Sequence, residues 1–186
     1  MRYFITFACY GTHLHGDESG SVDRRHNRFG ARALEADPQR AAAERRSMNQ
    51  PPYELDSHAR AAVLKTLYEV CLHRGWNLSA AHVRSGHVHV IVEGESPPEK
   101  VMNDFKAYVS RALNRLDGDR PGRKRWARHG STRWLWKDED VREAIRYVVE
   151  EQASPWPSFW GTRANRSFTH AAPYRTALRF DYSQGK

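Results

Sequence analysis

Residues 87–93 constrain the fold more than any other segment, because they alternate in the way that a half-buried strand alternates. The segment reads His-Val-His-Val-Ile-Val-Glu. Successive side chains of a strand point to opposite faces, so the three valines share one face while His87, His89 and Ile91 share the other. We expect the valines to lie under helices. The strand therefore carries two histidines on the face turned away from the main core.

Turn and capping residues divide the rest of the chain into further strands and helices. Strands are predicted at residues 2–10, 76–84, 87–93 and 133–137, with a hairpin turn at Ser85-Gly86. Helices are predicted at residues 57–74, 96–116 and 138–152, with a shorter one near 38–48.

The order of these elements predicts an α+β fold. Strand, helix, strand, strand, helix, strand is the ferredoxin-like split βαβ pattern, an antiparallel sheet with two helices on one face. The additional late helix must pack at an edge of the sheet or over its open face. We expect one domain at residues 1–155, in which residues 18–55 form a long loop insertion. A basic, aromatic C-terminal tail at residues 156–186 is expected to pack on this domain or extend it.

The charge balance indicates a negatively charged partner. The chain has 30 Lys and Arg against 22 Asp and Glu, a formal net charge of +8, and eight basic residues but only two acidic ones lie between Arg111 and Arg133. Nucleic acid is the commonest partner of such a surface, and a solvated basic surface is the alternative. The candidate DNA contacts are Arg111, Arg115, Arg120, Arg123, Lys124, Arg125, Arg128 and the indole of Trp126.

Three tryptophans could stack on unpaired bases or lie in the core: Trp126, Trp134 and Trp136. Trp134 and Trp136 would share one face of the predicted strand, so we expect at least one of them in the core.

The cysteine content and the hydropathy indicate a cytoplasmic protein. Cys9 and Cys71 are the two cysteines, and both fall on predicted apolar faces. Two buried free thiols suit a reducing compartment. No apolar run approaches the ~20 residues of a membrane span, so no membrane partner is expected.

The two histidines of the strand are candidate metal ligands. Imidazoles two residues apart lie ~7 Å from each other along a strand and can converge on one divalent ion, although a solvated sheet face would also tolerate them. The hairpin register places His82 opposite His89. His82 is then a ligand, a partner of a ligand or a polar surface residue, and we favour the last two. A second His-x-His, at His13 and His15, lies between glycines in a predicted loop and is the weaker candidate.

Tyr147 is the candidate nucleophile. Tyr108 lies on the apolar stripe of its helix and is expected in the core, whereas Tyr147 lies on the flank of its helix near carboxylates. Glu151 follows Tyr147 by four residues and should share its face, and Gln152 follows by five. Either could supply a third, oxygen-bearing metal ligand. A tyrosine nucleophile also needs a nearby base or cation, for which the Lys and Arg residues around 106–111 are candidates.

The chain resembles the single-tyrosine HUH transposases of simple insertion sequences, including the REP-associated tyrosine transposases. The resemblance covers roughly residues 2–155. The matching segments are HVHVIV (87–92), FKAYVSRALN (105–114), RWLW (133–136), IRYVVEEQ (145–152) and, at the start, FITFACYGTHLHGDE (4–18).

The resemblance implies a metal-dependent DNA transposase. His87 and His89 would hold Mg²⁺ or Mn²⁺, and Tyr147 rather than Tyr108 would attack the DNA. In relatives the third ligand is often Gln or Asn four residues after the tyrosine, a position that is Glu151 here, with Gln152 beside it. The substrate would be single-stranded DNA bearing imperfect hairpins, bound by a monomer or a homodimer.

The implied reaction is transesterification through a 5′-phosphotyrosine, which keeps the phosphodiester energy and needs no ATP. Two other functions remain open from the residues alone. The chain could bind hairpin nucleic acid without cleaving it, or the histidines could support hydrolysis by water with Tyr147 incidental.

Overall fold

The computed structural model describes residues 1–14, 16–17, 36–118, 122–151 and 158–160, with the backbone alone for residue 151 and for 158–160. The strands are β1 (Arg2–Cys9), β2 (Asn77–Val83), β3 (His87–Glu93), β4 (Trp126–Trp134) and β5 (Ser158–Trp160). The α-helices are α1 (Pro38–Ser47), α2 (Ser57–Arg74), α3 (Pro98–Leu116) and α4 (Asp138–Arg146), and a π-helical turn at Tyr147–Glu151 follows α4.

The sheet confirms the predicted fold class. Its five strands lie in the order β4-β1-β3-β2-β5, and each neighbouring pair is antiparallel. The first four strands and the helices α2 and α3 form the ferredoxin-like arrangement. The three-residue β5, which falls in the segment predicted as a tail, adds a fifth strand beside β2.

The β2–β3 hairpin has the predicted register. His82 lies opposite His89 and Val83 lies opposite Val88. The backbone N–H of Arg84 donates to the carbonyl of His87 across the turn. One face of the hairpin therefore carries the histidines together, as the alternation predicts.

The main core lies between the sheet and the helices α2 and α3. The alternating burial of β1 sends Tyr3, Ile5, Phe7 and Cys9 to this face, where they meet the valines of β3. The α2 helix begins where expected, since the Asp56 side chain accepts a hydrogen bond from the N–H of Ala59. Cys9 and Cys71 are buried free thiols, as predicted.

The late helix α4 lies over the open face of the sheet. A second apolar cluster joins the helix to this face, formed by Ala80, Ile91, Leu135, Ala144 and Val148. This cluster holds the end of α4 and the turn after it against β2 and β3.

The fourth strand differs from the prediction in length and position. It runs from Trp126 to Trp134, so residues 135–137 lie beyond it. Trp134 is 36% exposed and Trp136 is 72% exposed, and their rings stack at 5.0 Å between centroids. The expectation of a core tryptophan here was wrong, because the strand ends at Trp134 and Leu135 enters the second apolar cluster instead.

Among the described residues, no helix is both long and apolar enough to cross a membrane.

Candidate active site

His87 and His89 lie side by side on the face of the sheet that α4 covers. Their ring centroids are 4.7 Å apart with the planes at 72°. His89 is buried, with 7% exposed, and His87 is half-buried. The two rings are therefore close enough to face one common ligand.

The environment keeps both imidazoles neutral. Burial lowers the pKa of His89 to about 3 and that of His87 to about 4, and the neighbouring histidines and Arg84 add to both shifts. A neutral imidazole offers a nitrogen lone pair, which is the form that binds metal ions.

Thr6 holds the ring of His89. It lies directly opposite His89 in the β1–β3 pair, and its Oγ1 is 2.8 Å from His89 Nδ1. The β1 alternation that buries its neighbours on the main core places this hydroxyl on the histidine face.

His13 lies against His87, with its Nε2 3.3 Å from His87 Nδ1. The segment after β1 reaches this position because Gly11 adopts a positive φ of 73°. The Thr12 hydroxyl then donates to the carbonyl of Gly86 at the hairpin turn, at 2.8 Å. This histidine belongs to the second His-x-His, which is the weaker candidate in the sequence because it lies in a predicted loop. His15, the other member, lies outside the described residues.

His82 is 2% exposed, so the interpretation of His82 as a polar surface residue was wrong. Burial and the charge of Arg84 lower its pKa to about 4. Among the described residues its Nδ1 has no hydrogen-bond partner. Its roles as a ligand or as a partner of a ligand stay predictions.

Tyr147 lies on the same face as the paired histidines. Its ring centroid is 5.9 Å from that of His89 and 6.1 Å from that of Phe4. The ring is half-buried against the second apolar cluster. The sheet and the turn after α4 thus bring the predicted nucleophile next to a predicted metal ligand.

The predicted third ligands fall at the boundary of the described residues. Tyr147–Glu151 is a π-helical turn, in which hydrogen bonds join residues five apart. The α-helical spacing that favoured Glu151 over Gln152 therefore does not apply, and both stay predictions. The side chain of Glu151 and all of Gln152 lie outside the described part. Within that part, no third His, Cys, Asp or Glu joins the two histidines in a metal-binding cluster.

The cations predicted to activate the tyrosine lie elsewhere. Lys106 is buried in the main core on the other face of the sheet, where its Nζ donates to the carbonyls of Ala127 and His129. The guanidinium of Arg111 lies 4.3 Å from the ring centroid of Tyr108. This prediction was wrong because α3 packs on the face opposite to Tyr147. Arg84 is the basic residue that acts electrostatically on the histidines.

Two of the residues predicted to contact DNA instead contact other residues of the protein. Arg125 is 3% exposed, its Nη1 lies 2.8 Å from Asp117 Oδ2, and its Nε and Nη2 donate to Asn114. The indole of Trp126 is half-buried and packs on Phe7 against the main core. These side chains are committed to packing within the protein, so we withdraw them as DNA contacts.

The other residues predicted to contact DNA differ in what they contact within the protein. Arg123 donates to the carbonyls of Pro51 and Pro52, and Lys124 donates to Asn49, so both fix the segment before α2. Arg120 lies outside the described residues. Four exposed side chains keep the role as a prediction: Arg111, Arg115, Lys124 and Arg128.

Comparison with known proteins bears on this site. The family model described as "Transposase IS200 like" matches residues 52–152, which include the paired histidines and Tyr147. A search of curated proteins gave no match.

Solved structures similar to this chain include two transposases. One is the structure of the REP-associated tyrosine transposase bound to a REP hairpin, with a TM-score of 0.41 and 12% identity over 79% of this chain and 63% of that chain. The chain thus spans less than two thirds of the length of that transposase. The other is a Deinococcus radiodurans R1 protein described as a transposase, with a TM-score of 0.46 and 14% identity over 82% and 90% of the two chains.

The residues matched by the family model make up more than half of the chain and contain its candidate active site. The chain belongs to the IS200-like transposase family.

Proposed function

We propose that this transposase cleaves and rejoins single-stranded DNA with Tyr147 as the nucleophile beside a metal ion held by His87 and His89. The observation that carries the proposal is the position of the Tyr147 ring, 5.9 Å from that of His89 on the face that bears both histidines. A nucleophile and a cation site must lie together for attack on a phosphate.

The histidine pair fits a divalent cation. Both imidazoles are neutral, face the same side of the sheet and lie in contact with each other. Mg²⁺ and Mn²⁺ also prefer oxygen ligands, which Glu151 or Gln152 would add. When bound, the ion would polarise the scissile phosphate and offset the charge that develops on it.

The chain's own residues supply the covalent step. Tyr147 Oη attacks the phosphorus, so that an O–P bond forms to the tyrosine and the bond from phosphorus to the 3′ oxygen breaks. The phenol loses its proton and the departing 3′ oxygen gains one. A second 3′-hydroxyl then attacks the 5′-phosphotyrosine, joins the new strand and restores the phenol.

Neighbouring side chains orient the nucleophile. The Phe4 ring packs against both Tyr147 and His89, at 6.1 Å and 5.6 Å between centroids, so the three rings support one another. Arg133 lies opposite Phe4 in the β1–β4 pair, which places it on the same face. Together with Arg84 it makes this face attractive to a phosphate backbone.

The proposed substrate is single-stranded DNA with imperfect hairpins, bound by a monomer or a homodimer. The net charge of +8 and the exposed arginines support a nucleic-acid partner. The hairpin follows from the resemblance to REP-associated tyrosine transposases.

An adduct assay tests the proposal. Labelled hairpin-bearing single-stranded DNA is incubated with Mn²⁺ and either the wild-type protein, Tyr147→Phe or the matched control Tyr108→Phe. On a denaturing gel, we expect a metal-dependent adduct from the wild type and from Tyr108→Phe, and none from Tyr147→Phe. Binding without an adduct would instead show a silent binding protein, and cleavage that survives Tyr147→Phe would show hydrolysis by water.

A further inference from the structure

We propose that Thr6 and His13 are positioning residues, which hold His89 and His87 as Nδ1–H tautomers and so direct the Nε2 lone pair of each ring towards the metal. This inference rests on the proposed function, because it concerns the same histidine pair. It adds two residues from the first 13 of the chain, ahead of the segment that the family model matches.

The first support is that both rings are engaged through the same atom. Thr6 Oγ1 lies 2.8 Å from His89 Nδ1, and His13 Nε2 lies 3.3 Å from His87 Nδ1. Each Nδ1 thus already has a partner within hydrogen-bond distance. The remaining ring nitrogen of each histidine is Nε2, so that atom is left for a ligand.

The second support is that both partners place an atom able to accept a proton at Nδ1. A ligating histidine whose Nε2 binds metal carries its proton on Nδ1 and must donate it. The Thr6 hydroxyl oxygen is able to accept such a proton, and so is His13 Nε2 when the other ring nitrogen of His13 carries the proton. Both contacts are therefore compatible with the Nδ1–H tautomer that metal binding through Nε2 requires.

The third support is that both partners are themselves fixed. Thr6 is held in β1 between β3 and β4, opposite His89 and Ser131. His13 follows Thr12, whose hydroxyl donates to the carbonyl of Gly86, one residue before His87. Ala8 is the residue opposite His87, and its small side chain leaves space for the His13 ring. The position of Thr6 is thus determined by strand register, and that of His13 by the hydrogen bond from Thr12 to Gly86.

His13 acts on His87 rather than as a third ligand. The described residues contain no cluster of three His, Cys, Asp or Glu with metal-binding geometry, although His13, His87 and His89 lie together. His13 is exposed, so it reaches His87 from the solvent side of the site.

The first test reads the tautomers directly in the metal-free protein. Nitrogen-15 NMR of the histidine rings should show the proton on Nδ1 of both His87 and His89. In Thr6→Val the preference should be lost at His89 and kept at His87, and in His13→Ala the reverse. Protonation on Nε2 in the wild type, or tautomers that neither variant changes, would overturn the proposal.

The second test measures Mn²⁺ affinity by electron paramagnetic resonance. Thr6→Val and His13→Ala should each weaken binding ~10-fold or more, as loss of a ligand's hydrogen-bond partner commonly does. Thr6→Ser keeps the hydroxyl and should bind like the wild type. So should His58→Ala, which removes an exposed histidine on α2. Unchanged affinity in Thr6→Val and His13→Ala would refute the positioning role.

The outcomes separate this inference from the proposed function. If the wild type binds no Mn²⁺, the proposed metal site fails, and the tautomer measurement still decides the inference. If the wild type binds and the variants bind equally well, only the inference fails. If Zn²⁺ shifts the His13 Nε2 resonance as it shifts those of His87 and His89, His13 is a ligand and its assignment as a positioning residue is wrong.

Discussion

Burial separates basic side chains that look alike in the sequence. Arg125 and Arg128 are three residues apart in the same basic stretch, yet Arg125 is 3% exposed and ion-paired while Arg128 is exposed. The sequence shows charge but not the Asn114 and Asp117 side chains that turn Arg125 inward. The composition therefore predicted a basic surface, but it overestimated how many of the basic side chains lie on that surface.

Removing Arg125 should lower stability rather than act first on DNA binding. Arg125→Ala leaves Asp117 and Asn114 without their partner, and the loss should be about 2–3 kcal/mol in the free energy of unfolding, less than for a fully buried pair because Asp117 is partly exposed. Urea unfolding measures the change. Arg128→Ala is the control and should stay within about 0.5 kcal/mol of the wild type. Equal stabilities would contradict a structural role for Arg125.

Lys106 should make the free energy of unfolding depend on pH in the alkaline range. Burial lowers the pKa of Lys106 to about 8, against 10.5 for a free lysine. Below pH 8 the folded and unfolded states are both protonated, and between pH 8 and 10.5 the unfolded state binds more protons. The free energy of unfolding should therefore rise through this window because of Lys106, by up to roughly 3 kcal/mol.

Lys106→Met is the variant that isolates this contribution. Urea unfolding at pH 7.5 and pH 10 should show a smaller rise for the variant than for the wild type. An identical pH dependence in the two proteins would mean that Lys106 titrates as if exposed.

At the scale of the elements, the alternation of apolar residues predicted the strands well, whereas helical spacing predicted the helix geometry less well. The β1 and β3 patterns predicted which residues face the core, and the hairpin turn predicted the pairing of His82 with His89. The π-helical turn at Tyr147–Glu151 was not predictable, because the same apolar residues suit an α-helix. The end of β4 was not predicted, because Trp134 and Trp136 alternate like strand residues although the strand ends at Trp134.

Gly130 should be essential to the pairing of β4 with β1. It lies opposite Phe7, where the register then shifts, and a Cβ at this position would lie 2.5 Å from the carbonyl oxygen of Thr6 and from Met102 Sδ. Gly130→Ala should lower the free energy of unfolding by about 1–3 kcal/mol, since backbone must move. The control Ser131→Ala should change it much less in the same urea titration. A wild-type midpoint for Gly130→Ala would contradict this packing.

For the whole molecule, the sheet separates a face that carries the main core from a face that carries the candidate active site. The face toward α2 and α3 carries the main core together with Tyr108 and Lys106. The other face carries the histidines, Thr6 and Tyr147. The sequence predicted the faces through alternation and cap positions. It did not show that the loop after β1 folds back to His87, because that contact depends on the pinned turn at Thr12.

The affinity of the protein for DNA should fall steeply as the salt concentration rises. The exposed arginines should account for a measurable part of this salt dependence. Each phosphate contact to a single strand contributes about −0.7 to the slope of log affinity against log salt. A variant with Arg111, Arg115 and Arg128 changed to Gln should therefore have a slope shallower by about 2. Fluorescence anisotropy across a salt series measures the slope. An unchanged slope would show that the phosphate contacts lie elsewhere on the protein.

The most direct measurement is the identity of the residue that carries the cleaved strand. The trapped protein–DNA complex is digested with protease and nuclease, and the nucleotide-bearing peptide is sequenced by mass spectrometry. The account predicts a 5′-phosphotyrosine at Tyr147, formed only when His87 and His89 are present. A nucleotide on Tyr108 or another residue, or an adduct that survives His87→Ala with His89→Ala, would contradict it.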